Sequence, residues 1–300
     1  MRFVVIRAAQ TYCDSVRAIP ATMPGMSFPL SAQRIAAYLT QDRASPGASI
    51  AIEVVAETGS TNADLMARLP HLPGPVLRAA ENQTAGRGRA GRSWFAEPGA
   101  TLTFSLAWHF PHPIQRLIGL PLAAGVALAE TLAEVGVPVS LKWPNDVLKE
   151  GRKLGGILIE SAKASAADGS WAVIGIGLNL MQPRHAEEIG QPVASMDLAD
   201  LDTNELLAKI IARLGSAMKE FEQQGLSAFV ERWNAMHAHA GQAVRILEGE
   251  QIKHEGRVLG IDEHGALRLQ TAGGIISVMS GDISLRPVVG RKEGKHAVTG

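Results

Sequence analysis

Three kinds of hydrophobic pattern succeed one another along the chain. Residues 50–56 and 76–81 are short apolar runs that read as buried strands. Over 101–108, Leu102, Phe104, Leu106 and Trp108 alternate with Thr101, Thr103, Ser105 and Ala107, which predicts a strand with one buried face. Residues 114–135 are apolar and alanine-rich throughout and predict a long helix buried between layers. Further strands are predicted over 139–143, 153–161 and 171–179, and amphipathic helices over 204–223 and 226–237. Ser60 or Thr61 caps a helix running to Leu69, with Asp64 in its first turn and Pro70, Pro73 and Pro75 stopping it.

From Gly241 the period changes. Short strands recur at 243–247, 254–261, 266–271 and 274–279, divided by Glu-Gly, Asp-Glu-His-Gly and Gly-Gly turns, which predicts a small antiparallel barrel and a domain boundary near 238–241. Before residue 50 periodicity is weak. Residues 31–39 fit one short helix, and 44–48 are linker-like. Residues 1–25 read as a disordered or mis-started N-terminus rather than a leader, with Met23 and Met26 as alternative starts.

Composition narrows the function class. The 300 residues suffice for two domains, and 46% are hydrophobic. No apolar run approaches the roughly 18–20 residues of a membrane span. Lys+Arg and Asp+Glu both number 29, so the formal charge is zero and no whole-chain nucleic-acid footprint is expected. The single cysteine, Cys13, excludes an intramolecular disulfide and a multi-thiolate zinc site, and fits a reducing cytosol.

Four segments carry candidate chemistry. The first reads GRGRAGRSW over 86–94 and sets Arg87, Arg89 and Arg92 among Gly86, Gly88 and Gly91. Glycines at positive φ let backbone N–H groups converge on an anion, and arginine adds a bidentate grip on phosphate or carboxylate. Residues 86–91 also match the dinucleotide fingerprint G-x-G-x-x-G, but a strand follows where a helix should, and no Walker A sequence occurs. A solvated basic loop is the plainer account of the composition alone.

The second segment is KWPND over 142–146, followed by RKLGG over 152–156. Pro144 ends the strand, so Asn145 and Asp146 sit at a strand end. If the two strands form a hairpin, Lys153 returns beside Asp146, placed to neutralise a developing oxyanion; an ordinary surface hairpin explains the same residues. The third is ETGSTN over 57–62, whose hydroxyls and amide suit a small polar head group or serve only as caps. The fourth is GIGLN over 175–179, where two glycines admit close approach of ligand or of packed backbone. His237 and His239 lack a third ligand at motif spacing, so no metal site is expected there.

Together and in this order, these segments resemble the biotin–protein ligase family over about residues 50–288, ending in GDISLR at 281–286. The resemblance implies an α+β fold: a class II aminoacyl-tRNA-synthetase-like, biotin–lipoate ligase catalytic domain with a mixed, mostly antiparallel sheet and helices, plus a small C-terminal β-barrel. It divides the chain into a poorly structured extension (1–49), a catalytic domain (50–238), the barrel (239–290) and a tail (291–300). It implies ATP and biotin as substrates with Mg²⁺, biotinyl-5'-AMP as intermediate, and the biotin carboxyl carrier protein of acetyl-CoA carboxylase as acceptor.

Residue by residue, the resemblance gives Ser60, Thr61, Asn62 and Gln83 to the ureido ring. Arg87, Gly88 and Arg89 belong to the loop closing over carboxylate and phosphate, with Arg92 also on the nucleotide side. Lys153 touches the reacting oxygens, Trp94 packs near adenine, and Asn179 supports the nucleotide. Asn145 and Asp146 organise the nucleotide, a magnesium ion at Asp146 and the incoming lysine. Lys153, Arg89 and Asp146 are the expected catalytic residues. Regulatory members carry an N-terminal DNA-binding winged helix, for which 1–49 are too short, so a cytoplasmic ligase without repressor activity is expected, monomeric or homodimeric, with no DNA or membrane partner. Ala90 stands where the family is often basic. The alternatives are a lipoate–protein ligase or octanoyltransferase, which share the catalytic fold, and a non-catalytic DNA-binding regulator.

Overall fold

The computed structural model describes residues 29–41, 50–164, 169–184, 191–198, 202–279 and 283–287. Its centre is a seven-stranded sheet in the order β1-β2-β5-β9-β8-β7-β6. The strands are β1 (Ala51–Thr58), β2 (Val76–Gln83), β5 (Thr101–Phe110), β6 (Ser140–Lys142), β7 (Asp146–Lys149), β8 (Arg152–Lys163) and β9 (Ser170–Asn179). Only β1 and β2 run parallel, and every other pairing is antiparallel. The two-residue strands β3 (Gly86–Arg87) and β4 (Ser93–Trp94) pair with each other at the base of the arginine loop.

Leu102, Phe104, Leu106, Trp108 and Phe110 of β5 face one layer of helices. That layer holds α3 (Leu120–Glu134), α4 (Thr203–Gln224) and α5 (Ser227–Ala235). The opposite face was expected to meet solvent, yet Thr101, Thr103, Ser105 and Ala107 are buried too. The physical reason is position. β5 is central, and the short helix α2 (Thr61–Met66) lies on its second face with Leu65 against Ala107 and Val173. Ser60 caps α2 as expected, its side chain accepting from Ala63 N. The helix stops at Met66 rather than Leu69, and a 3-10 turn over Leu69–His71 takes Pro70.

The apolar stretch predicted as one helix over 114–135 is a 3-10 turn, Ile114–Leu117, followed by α3. Gly119 separates them at φ 86°, where a Cβ would press on Leu226. By length and composition alone Ile114–Glu134 is apolar enough to cross a membrane, contrary to the sequence reading. In the fold, 67% of that window is buried among the protein's own elements, as in a core helix.

The expected helix near residues 31–39 is α1 (Ala32–Gln41), and it is packed against the core rather than loose. Ile35 is fully buried, and Arg34 and Tyr38 both reach Asp202, the N-cap of α4. Residues 1–28, with both alternative start sites, and 42–49 lie outside the described residues, so the expectation that 1–49 carry no DNA-binding module falls mostly there.

Beyond α5 a second sheet runs β13-β12-β11-β10-β14. It contains β10 (Ala243–Glu248), β11 (Gln251–Ile261), β12 (Leu267–Thr271), β13 (Gly274–Val278) and β14 (Ile283–Pro287), all antiparallel. The expected small antiparallel β unit is thus present, as a five-stranded ladder in which, among the described residues, β13 and β14 are the two ends. β14 was not among the strands read from the sequence. The two sheets are tied together at the edge strand β6. Leu141 N donates to Met236 O (2.8 Å) and Ala238 N to Leu141 O (2.9 Å), while Trp143 Nε1 donates to Gly265 O (3.1 Å).

His237 and His239 are buried at this junction. His237 stacks 4.5 Å from Trp233, and neither of its ring nitrogens has a partner among the described residues. Burial, reinforced by His239, lowers the His237 pKa from 6.5 to about 4. Burial and then Lys142 lower that of His239. The folded state therefore binds fewer protons than the unfolded one below pH 6.5, and stability is lost as pH falls from there toward about 4. For His237 alone the loss between about pH 7.5 and pH 4.5 is about 2–3 kcal/mol. In urea unfolding at those two pH values, His237→Phe should narrow the difference by that amount; an unchanged difference would place the acid sensitivity elsewhere.

Candidate functional site

Sheet register builds the floor of a cleft on the α2 side. In an antiparallel ladder, directly opposed residues share a face. Ser105, Gly175 and Leu158 form one row across β5, β9 and β8, and Thr103, Gly177 and Gly156 form the next. Gly175 and Gly177 are small because other side chains lie on them. A Cβ at Gly175 would overlap Asn62 Oδ1, and one at Gly177 would overlap the Trp94 indole. Gly175→Ala should therefore overpack this wall and cost about 1–3 kcal/mol in denaturant unfolding. A neutral result would mean that Asn62 yields freely.

Over the first row sits a cluster of polar side chains. Gln83 Oε1 accepts from Thr61 N (2.9 Å) and contacts Thr61 Oγ1 (3.2 Å). The Thr61 and Ser105 hydroxyls are 2.7 Å apart, and Ser105 Oγ donates to Asn62 Oδ1 (2.5 Å). Asn62 Nδ2 donates to Glu160 Oε2 (2.9 Å). Thr61, Asn62 and Gln83, three of the residues singled out in the sequence, are thus one buried network, and the fourth, Ser60, is buried next to it as the cap of α2. Ser105 and Glu160 belong to the network and were missed. Ser105 read as the polar half of an alternating strand, and Glu160 as an ordinary strand residue. Strand register was the signal that links them, and it is not written in either segment alone.

Trp94 covers the second row. Its indole N–H is buried without an acceptor among the described residues, and Lys153 Nζ stands 5.8 Å from the ring centroid. In place of the direct hairpin expected between strands 139–143 and 153–161, β7 lies between β6 and β8 and pairs with both, and this three-stranded meander still brings Asp146 and Lys153 together. Lys153 Nζ pairs with Asp146 Oδ1 at 2.8 Å, and Lys142 Nζ lies 3.7 Å from Oδ2. Burial holds the Lys142 pKa below the usual lysine range; Asp146 opposes that shift and Lys153 adds to it. Asn145 is fixed by bonds to Ile157, from Nδ2 to its O (2.7 Å) and from its N to Asn145 O (3.0 Å).

The arginine loop spans the two halves. Arg87 Nη2 reaches Glu160 Oε2 at 2.9 Å, and Arg89 Nη1 reaches Asn145 Oδ1 at 3.4 Å. Gly88 N donates to Arg92 O (2.6 Å), closing the loop on itself. Of its glycines only Gly91 has positive φ, and Ala90 shares that conformation at φ 53°. Gly86 is instead required by contact, because a Cβ would run into Trp94 O. Arg92 is exposed, its Nε on Arg89 O (3.3 Å). Asn179, expected on the nucleotide side, lies at the end of β9 behind Lys153. Both of its amide protons go to backbone carbonyls, of Ala194 (3.0 Å) and Lys153 (3.4 Å), so it supports the strand that carries Lys153.

Residues 52–179 match the Biotin/lipoate A/B protein ligase family, and residues 239–286 match the biotin protein ligase C-terminal domain. The bifunctional ligase/repressor BirA of Salmonella typhimurium is 38% identical over 239 residues, covering 78% of this chain and 74% of the relative. The chain belongs to the biotin protein ligase family. The biotin--[acetyl-CoA-carboxylase] ligase of Mycobacterium tuberculosis is 36% identical, covering 77% of this chain and 88% of its own length. A biotin protein ligase from Aquifex aeolicus, solved in complex with biotin and ATP, superposes with a TM-score of 0.68 at 31% identity, over 79% of this chain and 98% of that one. The α+β architecture described above is therefore the biotin protein ligase fold, its large mixed sheet followed by a C-terminal antiparallel sheet.

Proposed function

We propose that this chain is an ATP-dependent biotin–protein ligase acting on the biotin carboxyl carrier protein of a carboxylase. One observation carries the reading: a single loop joins a buried polar cluster, through Arg87, to the Lys153–Asp146 hairpin, through Arg89. Biotin has the matching shape, a polar ureido head at one end and a carboxylate at the other. Thr61, Asn62, Gln83 and Ser60 take the head. The carboxylate then lies under Arg87 and Arg89, toward Lys153.

Adenylation joins two anions. The biotin carboxylate oxygen attacks the α-phosphate of ATP, and pyrophosphate leaves. Lys153 and the loop arginines offset the charge accumulating on the phosphate oxygens. In the second step the acceptor lysine, as free amine, attacks the mixed anhydride and AMP leaves. Asp146 stands beside Lys153 to accept the proton that amine sheds. Trp94 offers its unpartnered N–H and its ring face to the nucleotide side. Residues 50–238 supply this chemistry and 239–290 the small C-terminal unit.

Among the described residues no three His, Cys, Asp or Glu side chains converge on one point. The Asp146 carboxylate is held by Lys153 and Lys142. This donor set does not fit a protein-held metal centre, contrary to the expectation for Asp146; a magnesium ion belongs with the nucleotide phosphates. The match to the biotin protein ligase C-terminal domain favours biotin over lipoyl or octanoyl chains. The deciding experiment supplies ATP, Mg²⁺ and a purified carrier domain with either labelled biotin or labelled lipoate. ATP-dependent label on the carrier lysine from biotin is expected. Turnover of lipoate with none of biotin would sink the reading.

A further inference from the structure

Glu160 lies where the two halves of the cleft meet. One carboxylate oxygen accepts from Asn62 Nδ2, inside the buried cluster, and from Arg87 Nη2, on the loop, each at 2.9 Å. A carboxylate only accepts, so the Asn62 amide must turn its NH₂ toward Glu160 and its Oδ1 away. That Oδ1 then needs the Ser105 hydroxyl as donor, at 2.5 Å. With the Ser105 proton committed, the one Thr61 hydroxyl proton is shared between Ser105 Oγ at 2.7 Å and Gln83 Oε1 at 3.2 Å. Gln83 Oε1 also accepts from the Thr61 N–H, which directs the Gln83 NH₂ away from the pair. The Glu160 charge, together with the Leu158 carbonyl 3.3 Å from Asn62 Nδ2, thus sets the sense of the Asn62–Ser105 bond at the head of a buried chain of four residues.

The Arg87 end is different in kind. Its side chain is 46% exposed, and a pair of that sort adds little to stability. What the contact does is orientation: it holds one edge of a guanidinium whose other N–H groups make no bond among the described residues. The loop arginine is set at the rim of the cluster before any ligand arrives, so less ordering remains to be done on binding.

We propose that Glu160 is a positioning residue for adenylate formation, coupling the head-group pocket to the arginine that meets the ligand carboxylate. The proposal rests on the biotin reading above. Glu160→Gln removes the charge while keeping the shape: its amide oxygen can stand where Glu160 Oε2 stands and accept from both Asn62 and Arg87, but as a neutral acceptor that holds the guanidinium more weakly. In biotin-dependent ATP–pyrophosphate exchange, E160Q should raise the KM for biotin about tenfold while leaving that for ATP within about twofold. Its melting temperature should stay near that of the unaltered protein. R87A should raise the biotin KM at least as far. The double variant R87A/E160Q should be no worse than R87A alone, because the two side chains act as one unit. An unaltered biotin KM in E160Q, or additive effects in the double variant, would overturn the proposal.

A second measurement does not involve biotin. Trypsin cleavage after Arg87 in the ligand-free protein should be several-fold faster in E160Q, and an equal rate would equally overturn the proposal. If the unaltered protein showed no biotin-dependent exchange yet E160Q were cleaved faster, the reaction assigned above would fail while the hold of Glu160 on the loop stood.

Discussion

Lys153→Ala should lower the rate of biotin-dependent ATP–pyrophosphate exchange by about 10²–10³-fold, the effect of removing one preorganised charge from a developing oxyanion. Lys153 is the cation that the hairpin carries into the cleft, with its Nζ 2.8 Å from Asp146 and beside the Trp94 ring. Its backbone is held independently of its side chain. Lys153 N donates to Pro192 O (3.0 Å), and Lys153 O accepts from Ala194 N (2.8 Å) and Asn179 Nδ2 (3.4 Å). Truncation therefore removes the ammonium without loosening β8. Asp146 keeps Lys142 as a neighbour at 3.7 Å, so it is not left as an uncompensated charge. The stability cost should be about 1–3 kcal/mol in urea unfolding, the range for one charge-assisted hydrogen bond. Lys153→Arg retains the charge but spreads it over a planar fork, and should restore little of the rate. Exchange within tenfold of the unaltered protein in K153A would remove Lys153 from the reacting centre.

How much of this site was legible before the fold depends on whether the information was local. The Asp146–Lys153 pair was legible, because a proline-terminated strand followed by a short return needs only a hairpin to bring the two together. The cap at Ser60 was legible for the same reason. Burial of the Thr103–Ser105 face was not. It depends on α2 crossing a strand some forty residues away in sequence, and alternation alone cannot distinguish a solvated polar face from a polar face under a helix. Glu160 was invisible for a related reason: its importance comes from lying across the sheet from Ser105 and beside the loop, a matter of register between β5, β9 and β8. Asn179, a polar residue at the end of a glycine-rich strand, was given to the nucleotide side; the fold spends both its amide protons on backbone carbonyls, one of them that of Lys153, a tie that the sequence did not show. In the arginine loop the residue types were right and one cause was wrong. Gly86 is there because Trp94 and Gln83 press on it, and the left-handed conformation falls on Ala90 and Gly91.

Arg89→Ala should release biotinyl-5'-AMP about 10–100-fold faster while slowing its formation less. The loop keeps its shape without this side chain, since Gly88 N–Arg92 O (2.6 Å) and Arg92 N–Arg89 O (3.2 Å) are backbone contacts and survive truncation. What truncation removes is a link between the loop and Asn145, a residue fixed by two bonds to Ile157. A guanidinium bonded to a ligand anion is worth about 1.5–3 kcal/mol, hence the range of release rates. Adenylate formation is less affected because Lys153 and Arg87 remain. The released mixed anhydride is an acylating agent, so lysines on an unrelated bystander protein should acquire label when R89A is present, in proportion to bystander concentration. Quenching a single turnover and separating free from protein-bound adenylate measures the release directly. A release rate equal to that of the unaltered protein, with bystander labelling at background, would mean that other contacts retain the adenylate and that Arg89 acts on the chemical step instead.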